Sequence, residues 1–139
     1  MGLLADLQKA FAYRLKPSQM VGWMDAVSAA IDTCVPYALV QVKFQAGAPV
    51  VTLVTTRVAG VTTATFTPTD NADGDTTITW PSGTFPSGGV DPQATSVASL
   101  GSGSSAEAIR AANSARIITV FFPSAALHDC DFVLSIFGD

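Results

Sequence analysis

The sequence predicts an α+β fold that is mainly β: an antiparallel β-sandwich or small barrel with an N-terminal two-helix arm. In the first 33 residues, apolar side chains recur every three or four positions, which is the period of amphipathic helices. After residue 36 the period changes to two, the period of strands. Eleven of the thirty residues from Val51 to Trp80 are threonine, whose β-branched side chain suits a pleated surface. We therefore expect a helical arm over residues 1–36 and an antiparallel β domain over residues 37–139.

Two helices are predicted in the arm. The first spans Leu3 to Leu15 and ends at Lys16, because the residue before a proline is pushed out of helical geometry. The second spans Gln19 to Thr33, with Ser18 as its N-cap, and ends before Pro36. The apolar stripes are Leu4, Leu7, Phe11 and Leu15 in the first helix, and Met20, Trp23, Met24, Val27 and Ile31 in the second. These stripes need a partner surface, which is either the chain's own sheet or a neighbouring subunit.

Four strands are predicted in the first half of the β domain. They span Ala38–Phe44, Val50–Val58, Val61–Thr67 and Thr76–Trp80. In the second strand, strict alternation places Val51 and Leu53 on one face and Val50 and Val54 on the other. This alternation predicts one face toward the core and one toward the surface.

A hairpin and a loop follow from the turn residues of this region. Asp73-Gly74 is a strong signal for a two-residue hairpin turn before the fourth strand. In that strand, Ile78 and Trp80 are predicted to point inward and the threonines between and beside them outward. Pro81 to Pro92 is rich in glycine and proline and is predicted to be a loop.

Residues 95–112 give weaker signals. Thr95 to Leu100 is only weakly strand-like, and the GSGSS segment that follows is predicted to be a flexible link. Ala106 to Ala112 is predicted to be a short helix, because Ser104 and Glu107 have the spacing of a capping box.

The two most apolar strands are predicted last, at Arg116–Phe122 and Phe132–Phe137. Both faces of each segment are apolar, so we expect central positions in a sheet or cover from the helical arm. They are predicted to pair with each other across the loop that contains His128.

The surface is unusually poor in charge. Charged residues make up 13% of the chain, against about 25% in ordinary globular proteins. A surface of this kind is weakly protected against association. We therefore expect a homo-oligomer, possibly a trimer, or a larger assembly, and the alternative is a small monomer with a neutral, hydroxyl-rich surface.

Several function classes are not expected. Between Phe44 and Ala106 one cation, Arg57, stands against four aspartates, so the chain lacks the charge that nucleic-acid binding needs. No apolar run reaches eighteen residues, so no membrane span is expected. The N-terminus lacks the basic lead-in of a secretory signal, so we expect the chain to act where it is made or within an assembly formed there.

No catalytic site, cofactor or metal is expected. GSGSSA, from Gly101 to Ala106, fits the dinucleotide pattern G-x-G-x-x-A, but no carboxylate lies about twenty residues further on to hold a ribose. The run from His128 to Asp131 has one histidine and one cysteine, too few ligands for zinc, and the chain has no second histidine for a catalytic pair.

The acidic turn before the fourth strand has a structural and a functional interpretation. The acidic turn contains Asp70, Asn71, Asp73 and Asp75. A hairpin turn is the simpler interpretation, although a loose calcium site would use the same oxygens. Cys34 and Cys130 are predicted to be reduced thiols that line the core.

Four aromatic residues allow two interpretations. They are Trp23, Tyr37, Trp80 and Phe85. The alternation of Ile78 with Trp80 predicts that Trp80 belongs to the core. The alternative is an aromatic platform for a sugar, on a sheet that is rich in threonine and poor in charge.

One segment resembles a known family. TTITWPSGTFP, a following Gly/Pro loop and the late strand NSARIITVFF are similar to the β domain of small virion structural proteins of tailed bacteriophages, which carry a T-x-T-W-P-[AS]-G-T-x-P turn. The resemblance covers Thr62 to Phe137 and leaves out the helical arm. It implies a non-enzymatic protein of the capsid or tail that acts through repeated contacts.

These observations together predict an assembly protein of a phage particle. We expect a decoration or cement subunit of the head, and the alternatives are a tail or neck component and a carbohydrate-binding module or adhesin domain. The expected partners are further copies of the chain and other virion proteins, such as the major capsid or tail protein. The predicted docking residues on the helical arm are Leu4, Leu7, Phe11, Trp23 and Met24.

Overall fold

A computed structural model describes residue 3 and residues 16–86, 90–97, 103–122 and 124–138 of the chain, without the side chains of residues 32, 33 and 122. The chain divides into two compact units, Met1–Val35 and Pro36–Asp139. Each unit is described by itself.

The first unit contains helix α1, Pro17–Cys34. Lys16 is its N-cap and Pro17 occupies the first helical position, where a proline loses no helical hydrogen bond. The Lys16 N–H donates to Oε1 of Gln19 at 2.9 Å, so the expected cap at Ser18 was wrong by two residues. Of the first predicted helix, Leu3–Leu15, the structure describes only Leu3, which is helical. No helix within the described residues is both long and apolar enough to cross a membrane.

The second unit is built from antiparallel strands, which confirms a mainly β chain with helix at its N-terminal end. The strands are β1 (Ala38–Gln45), β2 (Ala48–Thr56), β3 (Thr67–Ala72), β4 (Asp75–Thr79), β5 (Val90–Ser96), β6 (Gly103–Ala111), β7 (Ser114–Phe122), β8 (Ala126–Leu127) and β9 (Phe132–Gly138). Sheet A has the strand order β2-β1-β9-β5, and sheet B has the order β3-β4-β7-β6, with β8 paired to β7. Within the described residues, neither sheet closes into a barrel.

Inward-pointing side chains of both sheets form one hydrophobic core. Alternate residues of β9 are buried, as the period of a strand requires. Ile78 and Trp80 are also buried, which confirms the predicted inward face of β4. The core consists of Tyr37, Ala38, Val40, Val42, Phe66, Ile78, Trp80, Phe85, Ala115, Ile117, Phe132, Leu134 and Ile136.

The predicted pairing of the two most apolar strands is wrong. Strand β7 lies between β4 and β6 in sheet B, and β9 lies between β1 and β5 in sheet A. The loop that contains His128 therefore connects the two sheets rather than closing a hairpin. Both strands are central, as expected, and central strands of two different sheets have the same apolar pattern.

Two local predictions are also wrong. The predicted strand Val61–Thr67 is wrong except at Thr67, where β3 begins. Thr63–Thr65 make a 3-10 turn in which Ala64 is exposed, and Phe66 beyond it is buried in the core. Residues 106–111 of the predicted helix and the last part of the predicted link belong to strand β6, and Ala112 lies in the turn that follows. Hairpin pairing with the central strand β7 overrides the weak helical preference of this segment.

Candidate interaction surface

The surface of sheet A that points away from the core is exposed and largely uncharged. We call it the outer face of sheet A. Its residues are Leu39, Gln41, Lys43, Val50, Leu53, Thr55, Asp91, Gln93, Thr95, Val133, Ser135 and Phe137. Leu39 pairs with Thr55 on one side and Ser135 on the other, and Gln41 pairs with Leu53 and Val133, so these residues form continuous rows across the sheet.

An irregularity in β2 places Val50, rather than Val51, on this face. The pairing with β1 shifts by one residue between Gln41 and Val42, so that Val51 pairs with Val42 and packs against the core. An extra residue in one strand reverses the alternation beyond it. Val50 therefore lies on the same face as Leu53, and the predicted strict alternation of β2 was wrong at this point.

Three large apolar side chains are exposed next to one another on the outer face of sheet A. Leu53 is 56% exposed, and Leu39 and Val50 are also exposed. Val133 and Phe137 beside them are half-buried. Contiguous exposed apolar patches are typical of interaction sites, whereas single exposed apolar residues are ordinary. This face is therefore the candidate interaction surface.

The outer face of sheet B is different because its polar groups are paired with one another. Nε of Arg116 donates to Oδ1 of Asp75 at 2.9 Å, and Nη2 donates to Oδ2 at 2.5 Å. Nδ2 of Asn71 donates to Oδ1 of Asp75 at 3.0 Å and to Oγ1 of Thr77 at 2.8 Å. Hydrogen bonds from Arg116 hold the pKa of Asp75 below its ordinary value of 3.8, against the opposing effect of burial.

The acidic turn is part of the fold. Asp73 and Gly74 form the turn between β3 and β4, which confirms the predicted hairpin. Asp75 pairs with Arg116, whereas Oδ1 of Asp73 accepts a hydrogen bond from the Asp129 amide at 3.1 Å. These carboxylates are engaged by different partners. Within the described residues, no three potential metal ligands of the His, Cys, Asp or Glu type lie close enough to hold an ion.

Replacing Asp75 with asparagine is expected to destabilise the protein at pH 7, because Arg116 loses a charged partner. The pKa of Asp75 is lower in the folded chain than in the unfolded chain, so its contribution is complete above about pH 3.8. The contribution disappears as the pH falls through the lowered pKa. In urea unfolding, the difference between the wild type and Asp75→Asn should therefore shrink below that pH. Asp70→Asn, on the same hairpin but exposed, is the control and should show a smaller difference at pH 7.

Three of the aromatic residues form a buried cluster. Trp80 is 6% exposed, which confirms its predicted place in the core, and Phe85 and Tyr37 are also buried. The ring of Phe85 lies 5.8 Å from the rings of both Trp80 and Tyr37, centroid to centroid. An exposed platform of these three rings is therefore absent from the described part of the chain, and Trp23 belongs to the other unit.

An open cleft of about 800 Å³ lies beside this cluster. It separates the loop after β4 from the turn between β6 and β7, where the Trp80 amide donates to the Asn113 carbonyl at 3.0 Å. Its lining includes Trp80, Ser82, Thr84, Phe85, Arg110 and Asn113. The sequence did not predict this cleft, because it placed a helix where β6 and its turn form one wall.

The segment from His128 to Asp131 links β8 to β9 outside any strand. His128 is exposed, and its ring contacts Phe121 edge to face. Burial raises the pKa of the Cys130 thiol, and Asp131 and Asp129 raise it further. A protonated thiol is a poor nucleophile and a poor metal ligand. The carboxylates of this segment hold backbone amides: Asp129 accepts from Gly74 at 2.7 Å, and Asp131 accepts from Phe44 at 2.9 Å.

Both cysteines are free thiols, as predicted. Cys130 is half-buried, but Cys34 is exposed near the end of α1, so the prediction that both line the core was wrong for Cys34. Of the predicted docking residues on the arm, Trp23 is half-buried and Met24 is 61% exposed. Leu4, Leu7 and Phe11 lie outside the described residues.

Comparisons with models of known protein families, with curated proteins and with solved structures found no match to this chain.

Proposed function

We propose that this protein is a non-enzymatic structural subunit of a phage virion, specifically a decoration or cement subunit of the head, with its two sheets stacked as a β-sandwich. The observation that carries the proposal is the outer face of sheet A, where Leu39, Val50 and Leu53 are exposed side by side. A neighbouring subunit of the particle would cover this face. The major capsid protein and further copies of this chain are the candidate neighbours, and a tail or neck position would use the same face.

The low charge of the surface and its exposed apolar area both favour association with a neighbouring subunit. Covering a half-exposed leucine or valine contributes about 1 kcal/mol. One such contact is weak, but a particle repeats it many times, and repeated contacts raise the overall affinity without any new interaction. A face of this composition therefore suits a subunit that is held in an array.

The segment that carries the resemblance has a structural role in this chain. Trp80 anchors it in the core, and both the amide and the hydroxyl of Thr84 donate to the Pro81 carbonyl, at 3.3 and 2.7 Å. The motif therefore fixes a rigid turn after a core tryptophan. In this chain the motif is structural and leaves the contact surface to other residues.

Leu53→Asp should remove the protein from particles. A carboxylate on a covered apolar face would be buried without a partner, which is costly. We expect wild-type chain to co-sediment with phage particles collected from cultures that make it, and at least tenfold less of the Leu53→Asp chain to do so. Ile109→Asp is the matched control, because Ile109 is 47% exposed on the outer face of sheet B. Equal incorporation of both variants would contradict the proposed contact, and wild-type chain that never sediments with particles would contradict the proposed function.

A carbohydrate-binding module is the second candidate, and the cleft beside Trp80 favours it. Its lining combines the aromatic rings of Trp80 and Phe85 with polar side chains such as Ser82 and Asn113, a combination that suits a small polar ligand. Trp80→Ala is a poor test because this ring belongs to the core. Filling the cleft avoids that difficulty.

Ala112→Trp should place a bulky side chain at the wall of the cleft, where Ala112 is exposed in the turn between β6 and β7. If the cleft binds a glycan, binding on a glycan array should fall at least tenfold, while Ala48→Trp, at an exposed position remote from the lining, keeps it. Absence of glycan binding by the wild-type chain would reject this candidate.

A further inference from the structure

We infer that the neighbour on the outer face of sheet A is a second copy of this chain, related by a two-fold axis that places Lys43 of each copy opposite Asp91 of the other. The inference rests on the proposed function only in taking this face as a contact surface. It adds the identity of the neighbour and the pairing of charges across the contact.

The charges on this face stand at opposite ends. Among the described strand residues of the face, Lys43 and Asp91 are the charged ones, and both are exposed. Lys43 pairs with Val50 near one end of β1, whereas Asp91 pairs with Phe137 at the other end of the sheet, on β5. The strand rise places these ends about 20 Å apart.

Neither charge lies in an ion pair within the described residues. The nearest carboxylate to Lys43 in the register is Asp131, just before β9, and its Oδ1 accepts the Phe44 amide at 2.9 Å. The ion pair among the described residues joins Arg116 and Asp75, and Lys43 takes no part in it. Asp91 accepts one hydrogen bond, from Nε2 of Gln93 at 3.3 Å.

A two-fold contact makes the two charges of one copy complementary to the two charges of the other. In an isologous interface, if one residue contacts another on the partner, the reciprocal contact also forms. An axis in the plane of the face, passing over β9 midway between the two charges, exchanges the position of Lys43 with that of Asp91. Two opposite-charge pairs then flank a central apolar area that contains Val133, Leu39 and Leu53.

The area of the face indicates a weak dimer. Four strands of about seven residues cover about 23 by 19 Å, so two copies would bury about 900 Å², below the usual 1,200 Å² of stable complexes. We therefore expect dissociation in the micromolar range. Such a contact forms readily at the local concentration of a particle surface and is measurable in concentrated solution.

Charge reversal tests the pairing on the full chain. Lys43→Asp alone leaves two acidic groups on the face, and Asp91→Lys alone leaves two basic groups, so each variant should dimerise about tenfold more weakly than wild type in sedimentation at low salt. An equimolar mixture of the two variants should recover wild-type association, because both cross-pairs of the mixed dimer again join opposite charges, one with the wild-type sign and one with the sign reversed. The double variant Lys43→Asp/Asp91→Lys should also recover it.

The outcomes separate this inference from the proposed function. Single variants that associate as tightly as wild type, a mixture that gains nothing, or a wild-type trimer would overturn the two-fold pairing. If that occurs while Leu53→Asp is still lost from particles, the face is a contact for another virion protein and only the inference fails. If either reversal prevents folding, the neutral variants Lys43→Gln and Asp91→Asn should each weaken the dimer and make it less sensitive to salt.

Discussion

Replacing Gly74 with alanine is expected to destabilise the β unit by about 3 kcal/mol, the sum of backbone strain and overpacking. Gly74 has φ +71°, a conformation that alanine adopts only with strain. A Cβ at this position would lie 2.5 Å from the His128 nitrogen and 2.6 Å from the Thr119 oxygen. Both are backbone atoms, so the β3–β4 turn would have to move away from the paired backbone of β7 and His128.

Hydrogen bonds make that separation costly. The Thr119 amide donates to the Gly74 carbonyl at 2.9 Å, and the Gly74 amide donates to Asp129 at 2.7 Å. Gly47→Ala is the matched control, because Gly47 has φ +82° but no atom within 4 Å of the added carbon. It should cost only the strain, about 1 kcal/mol. Urea unfolding measures the loss of unfolding free energy in each variant. Equal losses would show that the close backbone contacts at Gly74 add nothing to the cost of the substitution.

Ile117→Ala is expected to cost about 2 to 5 kcal/mol, because it removes three carbons from a close-packed core and leaves a cavity. Ile117 is 0% exposed at the centre of sheet B, where it pairs with Thr76 and Ala108. The same substitution at Ile109, in the neighbouring strand and 47% exposed, should cost less than about 1 kcal/mol. Unfolding followed by circular dichroism compares the two. Similar losses would contradict a core shared by the inward faces of the two sheets.

Local patterns predicted several elements well. The Asp73-Gly74 turn, the inward direction of Ile78 and Trp80, and the extent of β1 depend on interactions between close neighbours in sequence. Such interactions are determined by residue type and spacing, so the sequence is sufficient to predict them.

Strand pairing accounts for most of the errors. Residues 106–111 have a weak helical preference, but they form a hairpin with β7, and its two turn residues, Ala112 and Asn113, include no glycine to mark it. The wrong prediction that β7 pairs with β9 also concerns strand pairing. Two equally apolar strands give no signal of which sheet each joins. The irregularity opposite Gln41, which brings Val50 to the surface, has no glycine or proline to mark it. Strict alternation therefore placed Val51, rather than Val50, on one face with Leu53.

The claim that a second copy of this chain covers the outer face of sheet A is tested most directly by sedimentation of the full chain over a range of concentrations. The mass of the wild-type chain should rise from 14.3 kDa toward twice that value as the concentration passes through the micromolar range. The Leu53→Asp chain should stay at 14.3 kDa throughout. A wild-type chain that remains at the mass of one copy at every concentration, or a Leu53→Asp chain that associates equally well, would contradict the claim.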